Sequence, residues 1–91
     1  MTDLDDRIAE VLDRLEPGEV VTYGEVAAMA GRPEAPRAVG RFLAETTGHP
    51  WWRVVNSAGR LAPGSEVEQA RRLRAEGIAV EGNRVVGMKR R

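Results

Sequence analysis

Leu4, Ile8, Val11, Leu12 and Leu15 recur at the spacing of one helical face, which predicts an amphipathic helix at the start of the chain. Thr2 or Asp3 is placed to cap it, and Asp5 and Asp6 suit the positive end of its dipole. Pro17-Gly18 ends it. A short extended piece, Glu19-Val20-Val21, leads into Thr22-Tyr23-Gly24-Glu25, where Thr22 and Glu25 have the spacing of a capping box. A helix is therefore predicted from Tyr23 through Ala30, stopped by Gly31. Arg32-Pro33-Glu34-Ala35 reads as a turn, and Pro36 suits the first position of another helix. On that helix Val39, Phe42 and Leu43 share the core side, while Arg37 and Arg41 lie opposite with Gly40 and Ala44 beside them. Two short helices across a tight turn form a helix-turn-helix pattern, with the second helix as reader.

Beyond Gly48 the pattern turns extended. Val54-Val55 reads as a buried strand. If Trp51 and Trp52 belong to it, they point to opposite faces, one into the core and the other lining a pocket; the alternative is that both simply pack. Asn56-Ser57-Ala58-Gly59 is turn chemistry, and Arg60-Leu61 is expected to pair back as a short wing. Ser65-Glu66-Val67-Glu68 has capping-box spacing and predicts a helix that carries Val67, Ala70, Leu73 and Ala75 toward the core and closes at Gly77. Ile78-Ala79-Val80 and Arg84-Val85-Val86 flank Glu81-Gly82-Asn83 as a β-hairpin. The tail, residues 88–91 with Lys89-Arg90-Arg91, is expected to be disordered. Residues 1–91 are read as one domain, mainly α with short β elements, of winged helix-turn-helix-like form.

Composition narrows the chemistry. With no cysteine and one histidine, His49, the chain lacks a thiol nucleophile, disulfides and most raw material for metal or histidine catalysis. No catalytic residue, metal or cofactor is expected. The acidic N-terminus is unlike a secretory leader, and no apolar run approaches the roughly 18 residues of a membrane span. A soluble, cytoplasmic protein with no membrane partner is expected. The formal net charge is zero, but residues 1–25 hold eight acids and two bases. Residues 26–60 hold five arginines against two acids, and residues 61–91 seven bases against four acids. Such a chain can present a basic face despite its neutral total; the plain alternative is a mixed, solvated surface. A glycine inside a helix costs about 1 kcal/mol relative to alanine, which makes Gly40 on the arginine face suggestive of close approach by a partner.

Tyr23-Gly24-Glu25-Val26-Ala27, Arg37-Ala38-Val39-Gly40, Pro50-Trp51-Trp52-Arg53-Val54-Val55 and Ala75-Glu76-Gly77 together resemble, in order and approximate spacing, the C-terminal domain of the O6-alkylguanine-DNA alkyltransferases. The resemblance spans roughly residues 4–82. In those enzymes the third motif reads Pro-Cys-His-Arg, and its cysteine accepts the alkyl group. Here that position is Trp51, as in the alkyltransferase-like proteins, which bind alkylated guanine without removing the lesion and flag it for nucleotide excision repair. Without a thiolate there is no acceptor.

The resemblance implies residue roles. Tyr23 is expected to press on the 3′ phosphate, and Arg37 to enter through the minor groove and fill the space left by a flipped nucleotide. Thr22, Gly40 and Arg41 complete the expected DNA-binding set. Pro50, Trp51, Trp52, Arg53, Val54 and Arg60 form the expected lesion pocket, with Arg53 read as more structural than ligand-contacting. Glu76 matches the glutamate that supports the relay histidine. Two departures stand out. Trp52 replaces that histidine, so Glu76 is expected to lose its role, and Trp52 is free to turn inward against the 66–76 helix. The loop Leu61-Ala62-Pro63-Gly64-Ser65 lacks the tyrosine or arginine that the family tends to place there, leaving Arg60 as the nearest cation. The implied partners are duplex DNA containing O6-alkylguanine and nucleotide excision repair proteins, met by a monomer near the nucleoid. Two other readings stay open: a winged-helix transcription regulator and a protein-interaction module of the same fold that has lost DNA binding.

Overall fold

A computed structural model describes residues 3–87. The tail expectation and the Thr2 cap fall outside the described residues. Helix α1 spans Asp3–Asp13 and buries Ile8 and Leu12. Strand β1, Val21–Thr22, runs directly into helix α2, Tyr23–Met29. The junction is held as the spacing predicts: the Glu25 amide donates to Thr22 Oγ1 at 3.0 Å, and the Thr22 amide donates to Glu25 Oε1 at 2.8 Å. Gly31 follows at φ +87°, a left-handed conformation that glycine adopts without a Cβ penalty. Helix α3, Pro36–Glu45, begins on its proline and buries Val39 and Phe42.

A 3-10 turn, Trp51–Arg53, leads into strand β2, Val54–Val55. Strand β2 pairs in parallel with β1, with Val21 opposite Val54 and Thr22 opposite Val55. Helix α4 is Glu66–Ala75, and strands β3, Val80–Glu81, and β4, Arg84–Val85, form an antiparallel hairpin. The result is a mainly helical winged helix-turn-helix-like fold with short strands.

Val54 and Val55 join two apolar clusters. Successive strand residues point to opposite faces. Val54 packs with Ile8, Leu12, Val26, Val39 and Phe42 of the three-helix unit, while Val55 packs with Leu61, Ala70, Leu73, Val80 and Val85. Both are fully buried. The parallel ladder thus ties the helix-turn-helix to the wing half of the molecule.

Three expectations need correction, and a fourth is extended. Trp51 and Trp52 lie on a 3-10 turn, closed by the Arg53 amide donating to the Pro50 carbonyl at 3.1 Å, and not on a strand. Ser65 makes no side-chain cap; Glu68, its expected partner, bonds Arg71 and Arg72 instead. Val67 is 86% exposed and Ala75 is exposed; Gln69, fully buried, takes the core-facing position four residues before Leu73. Arg60-Leu61 does more than turn back on Asn56. It pairs with the hairpin, the Leu61 amide donating to the Asn83 carbonyl at 2.8 Å and the Val85 amide to the Gly59 carbonyl at 2.9 Å.

Candidate nucleic-acid interface

The β1–β2 register decides where Tyr23 sits. Thr22 is both the last residue of β1 and the cap of α2, so pairing it with Val55 sets the first turn of α2 beside the loop that follows β2. A cleft of about 160 Å³ opens there, lined by Tyr23, Asn56, Arg60, Leu61, Ala62, Pro63, Glu66 and Asn83. Burial pushes the Tyr23 phenol up from its ordinary value, so it remains a hydroxyl donor at neutral pH. The loop is held from below by Gln69. Its Nε2 donates to the carbonyls of Trp52 at 3.1 Å and Val54 at 3.0 Å, and its Oε1 accepts from the Ala62 amide at 2.7 Å.

The arginines divide into two groups. Arg7, Arg14, Arg32, Arg53, Arg71 and Arg72 have carboxylate partners, and Arg74 donates to the Val80 carbonyl. Among the described residues, the side chains of Arg37, Arg41, Arg60 and Arg84 have no hydrogen-bond or ion-pair partner, and all four are exposed. Arg37 and Arg41 stand one helical turn apart on α3. Between them, a Cβ added at Gly40 would meet nothing within 4 Å. The protein's own packing therefore does not demand a glycine there. Met29, 55% exposed, is a large apolar side chain at the end of α2.

The expected lesion-pocket residues separate. Arg60 lines the cleft, but Trp51, Trp52, Pro50, Arg53 and Val54 are not among the residues that line it. Val54 belongs to the core and has no exposed surface, so it cannot line a pocket. Arg53 is turned inward: Nη2 meets Glu76 Oε2 at 2.8 Å and Nη1 donates to the Leu15 carbonyl at 2.9 Å. Trp51 and Trp52 are half-buried with ring centroids 6.3 Å apart, edge to face. The Arg72 guanidinium lies 4.7 Å from the Trp52 ring and 6.0 Å from Trp51, so the pair packs against α4.

Glu76 is structurally engaged. It accepts from Trp52 Nε1 at 2.7 Å, from Arg53 and from the Gly18 amide at 2.8 Å, and these contacts, Arg53 first, hold its carboxyl down at about 2. His49 is also structurally engaged: Nδ1 lies 2.9 Å from Asp13 Oδ1, and its ring packs on Phe42 with centroids 5.1 Å apart. Among the described residues no group of three His, Cys, Asp or Glu is placed to hold a metal ion. No helix of the described residues is long and apolar enough to cross a membrane.

Gln69 and Asn83 escaped the sequence reading. Gln69 lies on one helical stripe with Leu73 and Glu76, but a glutamine in a charged helix gives no sign of facing inward. Asn83 lies in the hairpin turn and reaches the cleft only through tertiary pairing.

A helix-turn-helix bearing unpaired arginines, joined through a parallel strand pair to a wing, defines a class of DNA-binding domain. Residues 3–78 match the family model described as the DNA-binding domain of 6-O-methylguanine DNA methyltransferase, and the chain belongs to that family. It is 42% identical over 79 residues to a DNA base-flipping protein of Vibrio parahaemolyticus, a match covering 81% of this chain and 79% of that protein. It is 33% identical over 81 residues to alkyltransferase-like protein 1 of Schizosaccharomyces pombe, covering 81% and 75% respectively. Its fold matches the crystal structure of S. pombe Atl1 in complex with damaged DNA containing O6-carboxymethylguanine. That match has a TM-score of 0.81 at 31% identity and covers 89% of this chain and 82% of the other.

Proposed function

We propose that this protein is a non-enzymatic sensor of DNA damage that binds O6-alkylguanine in duplex DNA, turns the nucleotide out of the stack and holds it. The observation that carries the reading is the exposed arginine face of α3. Among the described residues Arg37 and Arg41 have no acceptor, and the open Gly40 position between them leaves room for a backbone to approach. Phosphate contacts from such a face position a protein on DNA without reading its sequence. The names of two relatives, a DNA base-flipping protein and an alkyltransferase-like protein, point the same way.

In this reading α3 enters the minor groove and Arg37 occupies the vacated place in the stack. Tyr23, which lines the cleft, presses the neighbouring phosphate. Extrusion of a base costs a few kcal/mol, and less for a damaged, poorly paired base, which supplies part of the selectivity. Alkyl transfer is not available to this chain, because Trp51 stands where the acceptor cysteine would be and an indole is not a nucleophile of that kind. The bound, distorted duplex then serves as a signal for nucleotide excision repair, a step that rests on the resemblance to alkyltransferase-like proteins.

The test is a titration of tryptophan fluorescence with matched duplexes, one carrying O6-methylguanine and one guanine, at fixed salt. Clearly tighter binding to the alkylated duplex is expected. Equal binding would reduce the protein to a general DNA-binding domain, and no binding to either would make it an interaction module.

A further inference from the structure

Arg60 and Arg84 face each other across an isolated antiparallel bridge. The two flanking bonds, Leu61 N–H to the Asn83 carbonyl and Val85 N–H to the Gly59 carbonyl, identify it as a non-hydrogen-bonded pair. In that geometry facing residues approach most closely, about 4.5 Å between Cα atoms, and like charges directly opposite one another destabilise the pairing. Both side chains are exposed, and no acid answers them among the described residues. Glu81 is the register partner of Arg84 across the hairpin, yet no ion pair joins them. Glu66, on the cleft wall, is engaged by the Gly64 amide at 2.9 Å. The same pairing brings Asn83 to the cleft that holds Tyr23 and Arg60. The family match ends at residue 78, before this hairpin begins.

We infer that Arg60 and Arg84 form a second anion site, in which a backbone phosphate of the bound duplex sits between the two guanidiniums. The inference rests on the proposed DNA binding and adds a contact surface to it. An oxyanion between the two cations relieves their repulsion and uses donors that the protein leaves free. The hairpin then works as a clamp on the DNA backbone, apart from the arginine face of α3.

The experiment compares R60Q, R84Q and R60Q/R84Q with the parent chain and with R14Q, which removes a charge from the turn just after α1. Binding to undamaged, O6-methylguanine and O6-carboxymethylguanine duplexes is measured across a salt series, with thermal melts to verify folding. Each wing substitution should lower the slope of log affinity against log salt by about one, equally on all three duplexes, while R14Q leaves it unchanged. At low salt the double variant should bind roughly tenfold or more weakly than the parent. Unchanged slopes would overturn the inference. Loss confined to the carboxymethyl duplex would overturn the phosphate assignment and place the anion on the adduct. A parent chain that binds without lesion preference would refute the damage-sensing reading while the slopes on undamaged duplex still decide this one. A parent chain that binds no duplex would refute both.

Discussion

Trp52 Nε1 donates to Glu76 Oε2 at 2.7 Å, which ties the 3-10 turn to the carboxylate at the end of α4. A buried carboxylate left without donors would carry a penalty of several kcal/mol. Here the indole N–H and the Arg53 guanidinium, neighbours on the 3-10 turn, and the Gly18 amide from the loop after α1 satisfy it. The carboxylate has become a structural lock between the end of α4, the 3-10 turn and the loop after α1.

That lock has a pH signature. The Glu76 carboxyl is held near 2 in the folded protein, against an ordinary value of 4.5. The folded state therefore binds fewer protons than the unfolded state as pH falls through this range. The stabilisation, on the order of 3 kcal/mol, should be present above about pH 4.5 and lost progressively toward pH 2. Glu76→Gln should lower stability at pH 7 by a similar amount and flatten the acid limb, as read by urea unfolding at several pH values. Glu68 titrates in the same range but on the surface, where screening weakens its pairs, so Glu68→Gln should change the limb much less.

Gln69 should prove as important as any apolar core residue. Gln69→Leu keeps the approximate size but leaves the Ala62 amide and the Trp52 and Val54 carbonyls without their partner. A loss of about 2–4 kcal/mol is expected in chemical denaturation. A change below 0.5 kcal/mol (roughly the noise of a surface substitution) would mean that water replaces the amide and that the cleft loop does not depend on it.

Gly40→Ala should move stability and binding in opposite directions. Its Cβ meets nothing within 4 Å, so the helix should gain about 0.5–1 kcal/mol. If a DNA backbone passes close to this position, the added methyl should cost about 1 kcal/mol of binding, roughly fivefold in Kd. A higher melting temperature with unchanged duplex affinity would remove Gly40 from the interface.

Arg37→Ala should weaken binding to an O6-methylguanine duplex by tenfold or more, with little effect on stability, because the side chain has no partner among the described residues. Tyr23→Ala should also weaken lesion binding clearly, whereas Tyr23→Phe keeps the ring and should change it little. Titrations with the same two duplexes check all three; an unaltered Arg37→Ala affinity would remove Arg37 from the DNA interface.

Helices, caps and the arginine face were legible in the sequence because their signals are local. The Thr22–Glu25 box, Pro36 at a helix start and the Arg37/Arg41 spacing lie within a few residues of one another, where backbone geometry alone links them. Misreadings arose where a local pattern met a competing contact. Ser65 and Glu68 had the spacing of a cap, but Arg71 and Arg72 took the carboxylate. Val67 fitted an apolar stripe, but the backbone amide and carbonyls around Gln69 needed a polar partner more than the core needed another valine.

By itself the sequence determined the class of fold, the absence of a thiol acceptor and the presence of two cations on the second helix of the pair. Only the tertiary structure decided how Tyr23 meets the loop after β2, how Glu76 is satisfied by Trp52 and Arg53, and how Arg60 comes to face Arg84. Each of these depends on strand register or on donors distant in the chain. Contacts of that kind are set by which surfaces pack against each other, and no window of neighbouring residues carries that information.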